Sequence, residues 1–162
     1  MPLSKDMLAQ DIERALDAKP GSSAEAAAKW ANAYATYAGA ALSSASSLPT
    51  TAQANQGMLV GAFQGGLAAM TSVSAASIIA LGIVGYWQAM IWAGPTAAGM
   101  TVFPGNASLS GALAAIFSDL SQKSTKDKAD QLASAFDLGA KSVVVSDIPL
   151  IQPAPPIVGP IQ

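Results

Sequence analysis

The sequence predicts a mainly α fold: a helical bundle of about five to six helices, with a short extended or β segment and a proline-rich C-terminal arm. Three observations lead there. Apolar residues recur at three- and four-residue spacing in several separate windows, the period of one face of a helix. Breaks at Lys19-Pro20-Gly21, Leu48-Pro49, Gly94-Pro95 and Pro104-Gly105 divide those windows from one another. The last fifteen residues, IPLIQPAPPIVGPIQ, hold five prolines, which exclude helix and favour an extended, polyproline-like course. The expected organisation is a helical domain over residues 1–147 and an extended tail over 148–162.

Each element has its own warrant. Leu8, Ile12 and Leu16 recur every four residues after Ser4, a candidate N-cap, and Asp6 and Asp11 suit the positive end of a helix dipole. In SSAEAAAKWANAYATYAGAAL, Ser22 and Glu25 have capping-box spacing and Trp30, Tyr34, Tyr37 and Ala41 share a stripe. After SSASSLPTTAQ, where Thr50 and Gln53 suggest another capping box, Leu59, Phe63, Leu67 and Met70 line a third helix weakened by Gly57, Gly61, Gly65 and Gly66. A fourth segment, from about Ser74 to Trp92, is apolar on nearly every face, as a helix buried all round would be. Met100 to Phe103 has the character of a short strand. Leu109, Leu113, Ile116 and Leu120 define a fifth helix, and Ala129, Leu132 and Phe136 a sixth, capped by Ser124 or Thr125. Val143 to Val145 reads as a strand or arm.

The stretch SIIALGIVGYWQAMIWAG, Ser77 to Gly94, raises a question of environment. It approaches the length needed to cross a bilayer and carries Tyr86, Trp87 and Trp92, residue types favoured at membrane interfaces. Against a span, the nearest positive charges are as far away as Lys29 and Lys123, and Gln88 sits well inside the stretch. Burial in protein is the preferred reading. A small holin-like or pore-forming membrane protein with a span near 77–94 is the alternative, and a secreted or surface-lattice protein a third.

Charge distribution is the most informative feature. Only 11% of residues are charged, and none of the eight basic or ten acidic side chains lies between Trp30 and Ser118. Ordinary soluble proteins carry roughly 25%. A small bundle exposes much of its surface, so a charge-free middle points to a face covered by copies of the same chain or by other subunits. Trp87, Trp92, Met100 and Phe103 are candidate contact residues, because interface cores are enriched in such side chains, and Ile151 and Ile157 are candidates in the tail. Taken singly, each of Trp87, Trp92, Met100 and Phe103 also reads as ordinary core.

The residue inventory argues against several chemistries. Histidine and cysteine are absent, which removes the commonest general base, thiolate metal sites and thiol nucleophiles. Asp127 and Asp130 do not by themselves make a cation site, no phosphate-loop pattern occurs, and the Ser/Lys pairs Ser4-Lys5 and Ser124 with Lys128 read as helix caps. Neither an enzyme nor a bound cofactor is expected. A net charge of −2 without a basic cluster argues against nucleic acid as a partner. The N-terminal MPLSKDMLAQDIERAL has no apolar core of the secretory-signal kind.

The order of SKDMLAQDIERAL, AEAAAKWANAYATYA, VGYWQAMIWAGP, TVFPGNASLSGALAAIF and KADQLASAFDLGAKSVVVSD, leading into PPIVGPIQ, resembles small virion structural proteins encoded among the tail and baseplate genes of contractile-tailed bacteriophages. The resemblance spans nearly the whole chain and rests on composition and motif order. It implies a virion subunit that assembles in the host cytoplasm with copies of itself and other virion proteins, and it brings no catalytic residues.

Overall fold

A computed structural model describes residues 3–94, 96–121, 123–149 and 155–162; the side chains of 96–100 and 148–149 lie outside that description, as does all of Ile151. The fold is mainly helical, with six helices and five short strands among the described residues.

The helices follow the sequence cues where local chemistry is unambiguous. Helix α1 (Lys5–Asp17) starts at Ser4, whose hydroxyl accepts from the Met7 amide at 3.4 Å. Helix α2 (Ser23–Ala38) starts at Ser22, which accepts from the Glu25 amide at 3.1 Å, while the Glu25 carboxylate accepts from the Gly21 amide at 3.0 Å. Helix α6 (Thr125–Lys141) resolves the Ser124/Thr125 alternative in favour of Ser124, which accepts from the Asp127 amide.

Helix boundaries move where tertiary contacts compete. Helix α3 (Gln56–Leu67) begins later than Thr50–Gln53 suggests. Instead of capping, Thr51 Oγ1 accepts from the Ile91 amide at 2.9 Å and Asn55 Nδ2 donates to the Ala89 carbonyl at 2.9 Å, tying this loop to the end of the next helix. That helix, α4 (Ser72–Gln88), stops short of Trp92. Beyond it, β1 (Leu48–Pro49) and β2 (Trp92–Ala93) pair antiparallel, so Trp92 belongs to a strand. The 77–94 stretch is thus a helix end, a turn and a strand, and no described helix is long and apolar enough to cross a membrane. Helix α5 (Asn106–Ser118) and α3 also end early, leaving Leu120 and Met70 outside the helices and exposed.

The helices pack as a closed circuit: each of α1 to α5 contacts the next in sequence, and α6 returns to α1. At the α3–α4 contact the backbones come close enough that a Cβ on Gly82 would lie 2.0 Å from that of Ala62, so only glycine fits there. Aromatic rings fill the centre. Tyr34 meets Tyr86 and Phe136 edge-on at 5.9 and 5.4 Å between centroids, Phe63 meets Trp30 and Phe136, and Trp87 stacks on Trp92 at 6.3 Å.

One end of the circuit carries an antiparallel sheet in the order β3 (Thr96–Val102), β4 (Val144–Pro149), β5 (Ile157–Pro160). Strand β3 is longer than the Met100–Phe103 expectation. The described part of the tail does not stand apart from the helical domain. Strand β4 straddles the expected boundary at 147/148, β5 pairs with it, and Ile161 is buried.

Candidate interaction surface

The expected contact residues divide by position. Trp87, Trp92 and Phe103 are buried within the chain's own core. Their apolar surface already has intramolecular partners: the Trp87 indole donates to Tyr34 Oη at 2.9 Å and that of Trp92 to Thr101 Oγ1 at 3.0 Å. They are therefore not surface contacts of the folded chain. Ile157 is exposed on β5. Met100 lies in β3 with its side chain outside the described set, as Ile151 lies outside it altogether.

Exposed apolar side chains also lie elsewhere, among them Met7, Leu48, Ile91, Val102, Leu120 and Leu138, and several share the neighbouring helices α3 and α4. Contrary to a helix buried all round, α4 turns Val73, Ile78 and Leu81 to solvent, Leu81 with 61% of its surface open. On neighbouring α3, Met58 is exposed, and Gly57 and Gly61 face open space with nothing near where a Cβ would stand. The two stripes flank one seam: Met58 approaches Gly85, and Gly65 approaches Ile78. At the turn between the helices Met70 stands fully exposed beside a depression of about 240 Å³ whose lining includes Gly66, Ile79 and Phe117. The polar residues on this face are uncharged, among them Gln64, Ser74 and Gln88. The face thus offers apolar ridges, shallow glycine-floored ground and no formal charge.

Apart from Asp147 on β4, the charged residues gather on the other side of the circuit, on α1, α6, the N-terminal half of α2 and the turns that flank them. Short-range ion pairs are frequent there, including Arg14–Asp11 at 3.2 Å, Lys29–Glu25 at 2.8 Å and Lys123–Asp119. Lys29 and the Gly21 amide hold Glu25 below the usual carboxylate range, and Lys123 with Ser121 does the same for Asp119. Two carboxylates depart from the expectation of solvated faces: Asp147 on β4 is buried, and Asp137 is buried, accepts from Tyr37 Oη at 2.8 Å and pairs with Lys141 at 2.8 Å. Burial pushes the hydroxyls of Tyr34, Tyr37 and Tyr86 well above the usual phenol range; the Asp137 carboxylate adds to the shift at Tyr37. Tyr86 donates to the Ala52 carbonyl at 3.0 Å. Held neutral and engaged in hydrogen bonds, these hydroxyls act as internal cross-ties between elements.

The sequence placed Trp30, Tyr34 and Tyr37 on one stripe, but their polar partners were not apparent from it. Asp137 sits three residues before Ala140 on the buried side of α6, and only the three-dimensional meeting of α2 with α6 singles it out. An apolar groove of about 190 Å³ between α1 and α2, lined by Met7, Leu8, Thr36 and Tyr37 with Asp11 at its margin, is a second concavity. Among the described residues no group of three acidic, histidine or cysteine side chains could hold a metal. Comparison with protein-family models, curated proteins and solved structures finds no match to this chain.

Proposed function

We propose that the chain is a structural subunit of a bacteriophage virion, of the tail or baseplate, that works through protein–protein assembly and meets copies of itself through the α3–α4 face. The carrying observation is that face: exposed apolar residues Met58, Val73, Ile78 and Leu81 on two adjacent helices, and Met70 in the turn between them, with no charged side chain. Isolated exposed apolar residues are ordinary, whereas contiguous apolar ground marks contact surfaces. A second copy is the partner of choice because projections and recesses occur side by side. Met70 lines the depression over Ile79, and Gly57 and Gly61 leave bare backbone on the helix that meets Ile78 at Gly65. A two-fold arrangement would place each projection against the other copy's recess. Helices approach most closely where one of them lacks side chains, which gives the glycines of α3 a use that their low helix propensity does not. Assignment to a virion follows from the likeness in motif order and from the uncharged middle.

Mass spectrometry and immunogold labelling of purified particles from the source that encodes the chain test this reading. Detection in stoichiometric amounts at one position of the particle is expected. Particles that lack the chain while it accumulates in the host cell would overturn it, as would recovery in carbonate-washed membranes.

A further inference from the structure

The C-terminal segment is secured in a way that another copy could reproduce. Strand β5 pairs antiparallel with β4, Val144 opposite Pro160 and Asp147 opposite Ile157. Past the strand, the Ile161 amide donates to the Val143 carbonyl at 3.1 Å, and Leu42 and Gln162 exchange two main-chain bonds of 3.0 and 2.8 Å. The Ser44 hydroxyl donates to the Pro160 carbonyl at 3.1 Å. Of the side chains in residues 155–162, that of Ile161 alone is buried, whereas Ile157 and Val158 are open to solvent. One apolar plug and a ladder of backbone bonds therefore hold the segment, and neither depends on which molecule supplies it.

The connection to this segment is longer than a tight turn. Seven residues, 150–156, separate β4 from β5, and Pro153, Pro155 and Pro156 are among them. Hairpins that close on turn chemistry use two to five residues, and proline biases a chain toward extension. Closing the longer connection costs chain entropy. A slot on a neighbour that is already held close competes at a similar effective concentration.

We propose that residues 157–162 exchange between copies of this chain. In the assembled state the segment of one subunit occupies, on its neighbour, the edge of β4 and the cleft beside Leu42 and Val143 that it fills on its own subunit in isolation. The exchange preserves every contact, so the balance between the two arrangements is set by chain entropy and by how near the neighbour is held. This inference rests on the assembly reading above.

Absence of native cysteine gives a direct test. Leu42 and Gln162 exchange both amide bonds, and such pairs have Cα atoms about 5.5 Å apart, within the span of a disulfide. A Leu42→Cys chain is mixed at high concentration with a size-tagged Gln162→Cys chain and mildly oxidised. The mixed disulfide should exceed both same-variant dimers several-fold, and Ile161→Asp in the Gln162→Cys chain should return it to the share that random pairing gives. A random share from the start, or an excess that survives Ile161→Asp, overturns the exchange. A chain carrying both cysteines should close on itself when dilute and link to other chains when concentrated; self-closure at every concentration also overturns it. Sedimentation of the unsubstituted chain separates the two ideas: assembly without mixed disulfide sinks the exchange alone, and a monomer at every concentration sinks the assembly reading.

Discussion

The α1–α6 side and the α3–α4 side of this circuit solve the problem of surface in opposite ways. On the first, ion pairs and solvated carboxylates coat helices whose inner faces are apolar, the ordinary amphipathic arrangement, with Met7 and Leu138 as exposed exceptions. On the second, apolar side chains point both inward, as Ile79 and Ile83 do, and outward, as Ile78 and Leu81 do. The difference teaches that the hydropathy of α4 has two separate causes. One half of it builds the core, and the other half lies open to solvent on the face proposed for assembly.

The largest effect expected from breaking this comparison lies where the two sides meet. Phe136 of α6 touches both Tyr34 of α2 and Phe63 of α3 at the centre. Phe136→Ala should cost about 3–5 kcal/mol of stability. Both sides should still be lost in one urea transition, with tryptophan fluorescence and circular dichroism coincident; separate transitions would show that the sides fold independently.

Next come the glycines, which should part company within a single face. Gly82→Val forces side-chain atoms against Ala62 and should destabilise by about 1–3 kcal/mol or more. Gly61→Ala has open space and should stabilise the isolated chain by about 0.5–1 kcal/mol through helix propensity, while weakening association by filling the recess. Thermal unfolding at low concentration, paired with sedimentation at high concentration, separates these two responses.

Alkaline titration sharpens the view of the shared core. All three tyrosines have folded-state pKa values raised by burial above the ordinary value of 10.0. Their contribution to stability is complete below that value and is lost as pH climbs through it toward the folded values. Tyrosinate absorbance should therefore be absent from the native protein near pH 10 and appear together with unfolding. A native spectrum showing even one ionised tyrosine there would contradict the packing around Tyr34.

The smallest effect belongs to the charged side. Glu25 and Asp119 have folded pKa values lowered by Lys29 and Lys123, so the stability they add is present above the unfolded values of 4.5 and 3.8 and fades as pH falls below them. Glu25 is exposed and Asp119 half-exposed, and screening keeps their effect small. A modest acid-side loss of stability that Lys29→Met and Lys123→Met together reduce is expected in pH-dependent denaturation.

How much of this could be read from the chain follows from which forces are local. Caps at Ser4, Ser22 and Ser124 involve atoms three residues apart, so their spacing alone reveals them. The end of α4 depends on Thr51 and on strand pairing with Leu48–Pro49, partners roughly forty residues away, and periodicity carries no trace of that. Aromatic type misdirected the contact residues: Trp87 and Trp92 suit an interface by composition, yet the core needed rings of that size with a hydroxyl in reach of each indole. The charge-free span, by contrast, contains the two helices that carry the exposed apolar face, though the side chains on it differ from the expected contacts.

Leu81 offers the most direct test of the central claim, because its apolar side chain is exposed on α4. Analytical ultracentrifugation should show the unsubstituted chain associating as concentration rises, with Leu81→Glu monomeric over the same range and its unfolding midpoint nearly unchanged. Identical sedimentation of the two proteins as monomers would contradict the assignment of the α3–α4 face to self-assembly.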